Sequence, residues 1–305
     1  MFESEVLMSV LYTLSELRGP FLDKLCLFFA YLGTPYAILL ILFFVYYNVN
    51  KRTATGIFFT YALSCLACQD VKVICRVKRP WVLDPDFTPV EEALSTATGF
   101  SFPSIHTQTV TCLCAGWALT VRKRAVWIIA AVLTGFMMFS RMYLGVHTPL
   151  DVTFALIITL AIAIPVMTIW LNGDEERLSM AFFVIINLAL IASLIITVVV
   201  VTRGYVDDDH AKDLVEMLGA GFGFLTGMVL EKKAVSFSVK CSALAKLVRI
   251  LVGMAGVLAI EFGLKATDID SLSFVGIRYA LMLFWASGLW PYLFNKIPFL
   301  KGENS

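Results

Sequence analysis

Charge is what this chain has least of. Only 15% of its 305 residues are charged, while 59% are hydrophobic. A soluble globular domain has about 25% charged and about 45–50% apolar residues. No single core buries such an excess, and exposed to water it would drive aggregation. A soluble enzyme, a secreted domain and a disordered protein are thereby excluded. The net charge of +1 lacks the strongly basic face that nucleic acid requires, so no nucleic-acid partner is expected. The opening stretch MFESEVLMSV carries acids and no basic n-region, which argues against a cleaved signal peptide. The seven cysteines lie mostly inside apolar runs without metal-ligand spacing, as small core residues do. No nucleotide loop, haem motif or zinc spacing occurs, so no cofactor and no metal are expected.

Long apolar runs are what the chain does have. Nine stretches approach the ~20 residues that a spanning helix needs: 25–47, 56–75, 104–121, 125–142, 150–171, 179–201, 213–230, 247–264 and 274–294. Before them, Leu7, Leu11, Leu14 and Leu17 follow helical spacing in a segment too mixed to span, which predicts a helix lying in the membrane interface. The expected fold class is all-α, a polytopic transmembrane bundle of about nine spans with an N-terminal interfacial helix. With that topology, 13 of the 24 Lys and Arg share one face with only five acids. That face should be cytoplasmic. The N-terminus and the long loop 76–102 then lie outside. The composition and the lack of an Asn-x-Ser/Thr sequon suit a bacterial cell membrane.

Ionisable residues gather at span ends on the outer side. Lys72 closes the second run and Arg79 follows it, Ser104 and His106 open the third, Arg141 closes the fourth, and His147 and Asp151 open the fifth. Interfacial snorkelling predicts scattered cations, not two of the chain's three histidines and an aspartate facing three cations. A phosphoryl group spreads its charge over three oxygens, which Lys72, Arg79 and Arg141 can neutralise. Ser104 adds a hydroxyl, and the N–H groups after Pro103 point from a helix N-terminus toward an anion. One histidine can attack phosphorus while the other protonates the departing alkoxide. Asp151 follows His147 by four residues, so on one helix it would share that face and hold the imidazole tautomer.

Lys72-x6-Arg79-Pro80, Pro103-Ser104-x-His106 and Ser140-Arg141-x5-His147-x3-Asp151 together resemble the three-part signature of the type 2 phosphatidic acid phosphatase superfamily. The resemblance implies a phosphatase-like core over 1–201, with extra transmembrane helices over 202–305. It implies His147 as the nucleophile that forms a phosphohistidine, Asp151 as its orienting partner and His106 as the acid and base. It also implies that Lys72, Arg79, Ser104, Ile105 and Arg141 bind phosphate, and that no metal is needed. Ile105 stands where the family most often has Gly. Its backbone N–H is retained, and sphingosine-phosphate phosphatases resemble this chain in lacking that Gly, so the change bears on substrate choice. The expected substrate is a phosphorylated lipid, first a polyprenyl carrier such as undecaprenyl diphosphate. Sphingoid-base phosphate, phosphatidate and phosphatidylglycerophosphate are alternatives. A carrier that binds lipid phosphates without hydrolysis, and a vanadate haloperoxidase, are rivals of another class.

Three features lie outside the signature. Gly219, Gly223 and Gly227 give the seventh run one smooth face, which leaves open a contact within the chain or a homodimer. Glu216, Glu261 and Arg278 fall at similar depth in the outer leaflet, where unpaired charge is costly, so Arg278 should pair with one of the glutamates. Asp207, Asp208, Asp209 and His210 read as a solvated acidic loop rather than a metal site.

Overall fold

The computed structural model describes residues 2–267, 269 and 271–303, and among these no strand occurs. The helices are α1 (Phe2–Ser15), α2 (Pro20–Leu32), α3 (Pro35–Asn48), α4 (Lys51–Cys75), α5 (Pro80–Leu83), α6 (Ile105–Val121), α7 (Arg124–Tyr143), α8 (Pro149–Asn172), α9 (Glu175–Thr202), α10 (Asp208–Ala234), α11 (Ala243–Lys265), α12 (Leu272–Phe284) and α13 (Trp290–Phe294). Seven are long and apolar enough to cross a membrane, counting α4 with α5 and α12 with α13, and α2–α3 makes an eighth if that pair is one bent span. The molecule is an integral membrane protein.

The departures from nine plain spans have physical causes. Gly33 and Thr34 separate α2 from α3, which Pro35 opens, with a bend of 54° between the two helices. The run 104–121 forms α6, whose 17 residues extend about 26 Å antiparallel to α7. Its polar residues Thr107, Gln108, Thr109 and Thr111 are buried where α4, α7 and α8 enclose it. Gln108 donates there to Ser64 Oγ at 2.8 Å. A polar helix is tolerated at that depth because protein, not lipid, surrounds it. The last span carries a π-turn, Trp285–Leu289, beside Pro291, which cannot donate within the helix. The carbonyls of Ala286 and Ser287 accept instead from the hydroxyls of Tyr47 and Tyr46 on α3.

The N-terminal helix uses part of its apolar face differently from the expectation. Met8 and Leu11 are buried against Phe87 and Met142, so the helix packs on the protein, while Leu17 is exposed. The glycine face of α10 is spent inside the chain. A Cβ on Gly219 would stand 2.0 Å from Gly276 O, and one on Gly223 equally close to Ala280 O. Those glycines therefore let α10 and α12 touch backbone to backbone. Arg278 pairs with Glu261, Nε to Oε2 at 3.0 Å, tying α12 to α11. Asp207 is the N-cap of α10 and its carboxylate meets His210 Nδ1 at 2.6 Å. Part of the acidic loop is thus a capped helix start. Arg249, fully buried, donates to the carbonyls of Leu300, Tyr47 and Ser238 and so fastens the C-terminal segment.

Candidate active site

Helix termini assemble the site. Lys72 lies in the last turn of α4, Arg79 is the N-cap of α5, Ser104 is the N-cap of α6, and Arg141 lies in the last turn of α7. His147 is in the turn before α8, and Asp151 is in that helix's first turn. All but Ile105 and His106, which are partly buried, are nearly inaccessible to solvent.

The expected helix-face relation of His147 and Asp151 is corrected here. Pro149 starts the helix and Thr148 caps it, so His147 precedes α8 and is not part of it. The two residues meet through a capping box. Asp151 Oδ2 accepts from the Thr148 N–H at 2.7 Å and from Ser101 Oγ at 2.6 Å, while Thr148 Oγ1 accepts the Asp151 N–H at 3.4 Å. That fixes the carboxylate 3.4 Å from His147 Nδ1, longer than a strong hydrogen bond.

The other ring nitrogen faces Arg79, whose Nη1 stands 3.0 Å from His147 Nε2. A guanidinium only donates, so Nε2 presents its lone pair and the proton sits on Nδ1, toward Asp151. Burial, and then Arg79, Arg141 and Lys72, hold the His147 pKa well below the ordinary histidine value. The imidazole is therefore neutral, with a nucleophilic nitrogen beside cations. Arg79 is itself braced by backbone carbonyls: Gly99 at 3.1 Å from Nε, Val146 at 2.9 Å from Nη1, and Thr98 from Nη2.

Arg141 donates one bond, Nη1 to Thr96 Oγ1 at 3.3 Å, and its buried Nε and Nη2 have no partner. Unpaired buried donors of this kind are costly and mark an anion's place. His106 Nε2 is likewise buried without a partner. The Ser104 N–H is taken by the Asp151 carbonyl at 3.1 Å, and its Oγ accepts from Thr107 Oγ1 at 3.2 Å. The N–H groups of Ile105 and His106 are then the orphan first-turn donors at the mouth of α6.

A cavity of about 600 Å³ opens on this cluster, within the range of small-molecule sites. Lys72, Arg79, Ile105, His106 and His147 line it, whereas Ser104, Arg141 and Asp151 stand behind that wall. Asp213 and Glu216, from α10, also line it, and Asp213 accepts from Thr98 Oγ1 at 2.9 Å beside Arg79. Ser101, Thr96, Thr98 and Asp213 escaped the sequence reading. Ser101 lies three residues before the motif serine, but the 3-10 turn Glu91–Thr96 and the loop after it show no periodicity to betray their role. Ser140, in the signature, donates to the Cys26 carbonyl at 2.9 Å and ties α7 to α2. Asp70 accepts from Ser193 Oγ at 2.6 Å, not from a site cation. Among the described residues no group of three His, Cys, Asp or Glu side chains is placed to hold a metal ion.

The crystal structure of Aquifex aeolicus LpxE is similar to the chain at 22% identity and a TM-score of 0.48, covering 53% of this chain and 95% of that one. No curated protein matches it. Residues 53–175, which contain every signature residue, match the PAP2 superfamily. Residues 215–302 match the description "PAP2 superfamily phosphatase, transmembrane extension". With both parts accounted for, the chain belongs to the PAP2 superfamily and is a membrane phosphatase of that kind.

Proposed function

We propose that this protein hydrolyses a lipid phosphate through a phosphohistidine on His147, without a metal ion, on the extracytoplasmic side of a bacterial membrane. The observation that carries the reading is the geometry of His147, whose Nε2 lies 3.0 Å from Arg79 Nη1 at the cavity wall. In the first step Nε2 bonds to phosphorus, the bond to the lipid oxygen breaks, and His106 gives that oxygen a proton. Asp151 stabilises the positive charge that then forms on the His147 ring. In the second step His106 takes a proton from water, the oxygen attacks phosphorus, the P–N bond breaks and inorganic phosphate departs. Lys72, Arg79, Arg141, Ser104 and the N–H groups of Ile105 and His106 stabilise the equatorial oxygens throughout. Arg79 must turn from Nε2 to the phosphoryl oxygens for attack to occur. Cations thus fill the role that divalent ions fill in other phosphoryl transfers.

Among the lipids left open by the sequence, Asp213 and Glu216 weigh on the choice. Their carboxylates face the cavity that holds the phosphate, and a second phosphate beside the first would meet them. That favours a monophosphate over the polyprenyl diphosphate suggested by composition. Phosphate release from a panel of both classes, by purified protein in EDTA, tests this reading. Release from monophosphates supports it. Release only after Mg²⁺ is restored, or from no lipid, refutes it.

A further inference from the structure

The 600 Å³ cavity does not stop at the cations, and its form indicates where the rest of the substrate lies. Along α4 its lining residues are Phe58, Tyr61, Cys65, Gln69 and Lys72, spaced three or four apart on one helix face. At 1.5 Å per residue that face runs about 21 Å from Lys72 inward. One leaflet contributes about 15 Å of hydrocarbon. The cavity therefore descends through the depth of a leaflet, inside the protein.

Its polarity changes in the same direction on the walls made by α10, α12 and α3. On α10 the lining passes from Asp213 and Glu216 to Met217 and Ala220, and on α12 from Tyr279 to Leu283. On α3 it passes from Tyr36 to Leu39 and Leu42. Charged and hydroxyl groups ring the catalytic end, and carbon lines the far end. Part of the lining belongs to the transmembrane extension, α10 and α12, locked together by Gly219 and Gly223. At the level of His106 the lining includes Tyr31 and Tyr36, exposed by 53% and 38% on either side of the α2–α3 break, which gives a lateral way in from the bilayer.

We infer that the transmembrane extension forms a chain-binding channel with α3 and α4, and that it holds the hydrocarbon chain of the phosphorylated substrate while His147 works on its head. The inference rests on the lipid phosphatase reading for the identity of the head. Its evidence is the continuity of one cavity from the cations to a carbon-lined end. Ala220, on α10, and Leu39, on α3, are the specificity positions, because a larger side chain at either fills the channel from a different helix.

The test uses a single-chain hexadecylphosphonate carrying a photoreactive diazirine at the chain end, added to the full-length protein in lipid nanodiscs. A phosphonate is not hydrolysed, so the result is independent of turnover and of the phosphatase assay. Label is expected on the deep cavity residues, such as Met217, Leu283 and Leu42. It should fall at least tenfold there in Ala220→Trp and in Leu39→Trp, and the second variant decides if the first fails to fold. Label confined to bilayer-facing residues such as Leu188 and Ile195, exposed by 62% and 58%, would overturn the inference. So would deep label unchanged in both folded variants.

Discussion

Ser101→Ala isolates the part of the site that only the three-dimensional structure reveals. The Ser101 hydroxyl donates to Asp151 Oδ2 at 2.6 Å in a position with no solvent access. A hydrogen bond to a charged group contributes about 1.5–3 kcal/mol. Asp151 keeps the Thr148 N–H at 2.7 Å, so the carboxylate stays but is held by one strong donor instead of two. Folding stability should fall by about 2 kcal/mol. If half of the lost energy had served to hold the carboxylate under the developing imidazolium, kcat should drop about three- to tenfold. KM should change little, because the phosphate ligands are untouched. Thermal unfolding in detergent and steady-state phosphate release read the two effects separately. Ser101→Thr restores the hydroxyl at the expense of a crowded methyl, so it should recover kcat without recovering stability. An unchanged kcat in Ser101→Ala, or a rise in KM alone, would refute the positioning role.

Other consequences follow from the same geometry. His106→Ala should form phosphoenzyme slowly from a lipid alkoxide and faster from an aryl phosphate, whose leaving group needs less protonation; equal loss on both substrates in a rapid-quench assay would remove His106 from the acid role. The folded pKa of His147 is lowered, so its free base persists below pH ~6.5 and the acid limb of kcat/KM should lie below that value. By the same sign, stability should be full above pH ~6.5 and fall as pH drops toward the folded pKa, because only the unfolded chain takes up that proton. Arg79→Gln removes the nearest cation, so a pH–rate profile in that variant should show the limb moved upward, and an unmoved limb would contradict the electrostatic assignment. Arg278→Glu leaves two carboxylates buried together and should abolish folding or activity, with Glu261→Arg in the same chain partly restoring it; failure of that rescue would make the 3.0 Å pair incidental. Gly223→Val places carbon against the Ala280 carbonyl, at 2.0 Å for the first added atom, and should prevent accumulation of folded protein in a fluorescence-detected size-exclusion assay.

Composition and apolar run length were enough to read an all-helical membrane protein, because both report directly on what a bilayer requires. The residues of the cluster were legible too, since ionisable groups at span ends stand out against carbon. Their mutual geometry was not. A spacing of four suggested that His147 and Asp151 share a helix, yet Pro149 at the first helical position turns that spacing into a capping box. Run length marked α6 but not how its threonines and Gln108 are accommodated, which takes the enclosure of α4, α7 and α8. The glycine repeat on α10 announced a close contact without saying with what, and the contact is α12 of the same chain. Thr96, Thr98, Gly99 and Ser101 brace the arginines and the aspartate from irregular segments. Such segments carry no period, and their partners lie tens of residues away.

The most direct test of the account is trapping of the covalent intermediate. Protein incubated with a lipid monophosphate labelled with ³²P at the phosphoryl group, in EDTA, and quenched in alkali should retain acid-labile, alkali-stable phosphate on His147. His147→Ala, confirmed folded, should retain none. Absence of trapped phosphate during active turnover by the unaltered protein, or retention of the same label in His147→Ala, would contradict nucleophilic catalysis by this residue.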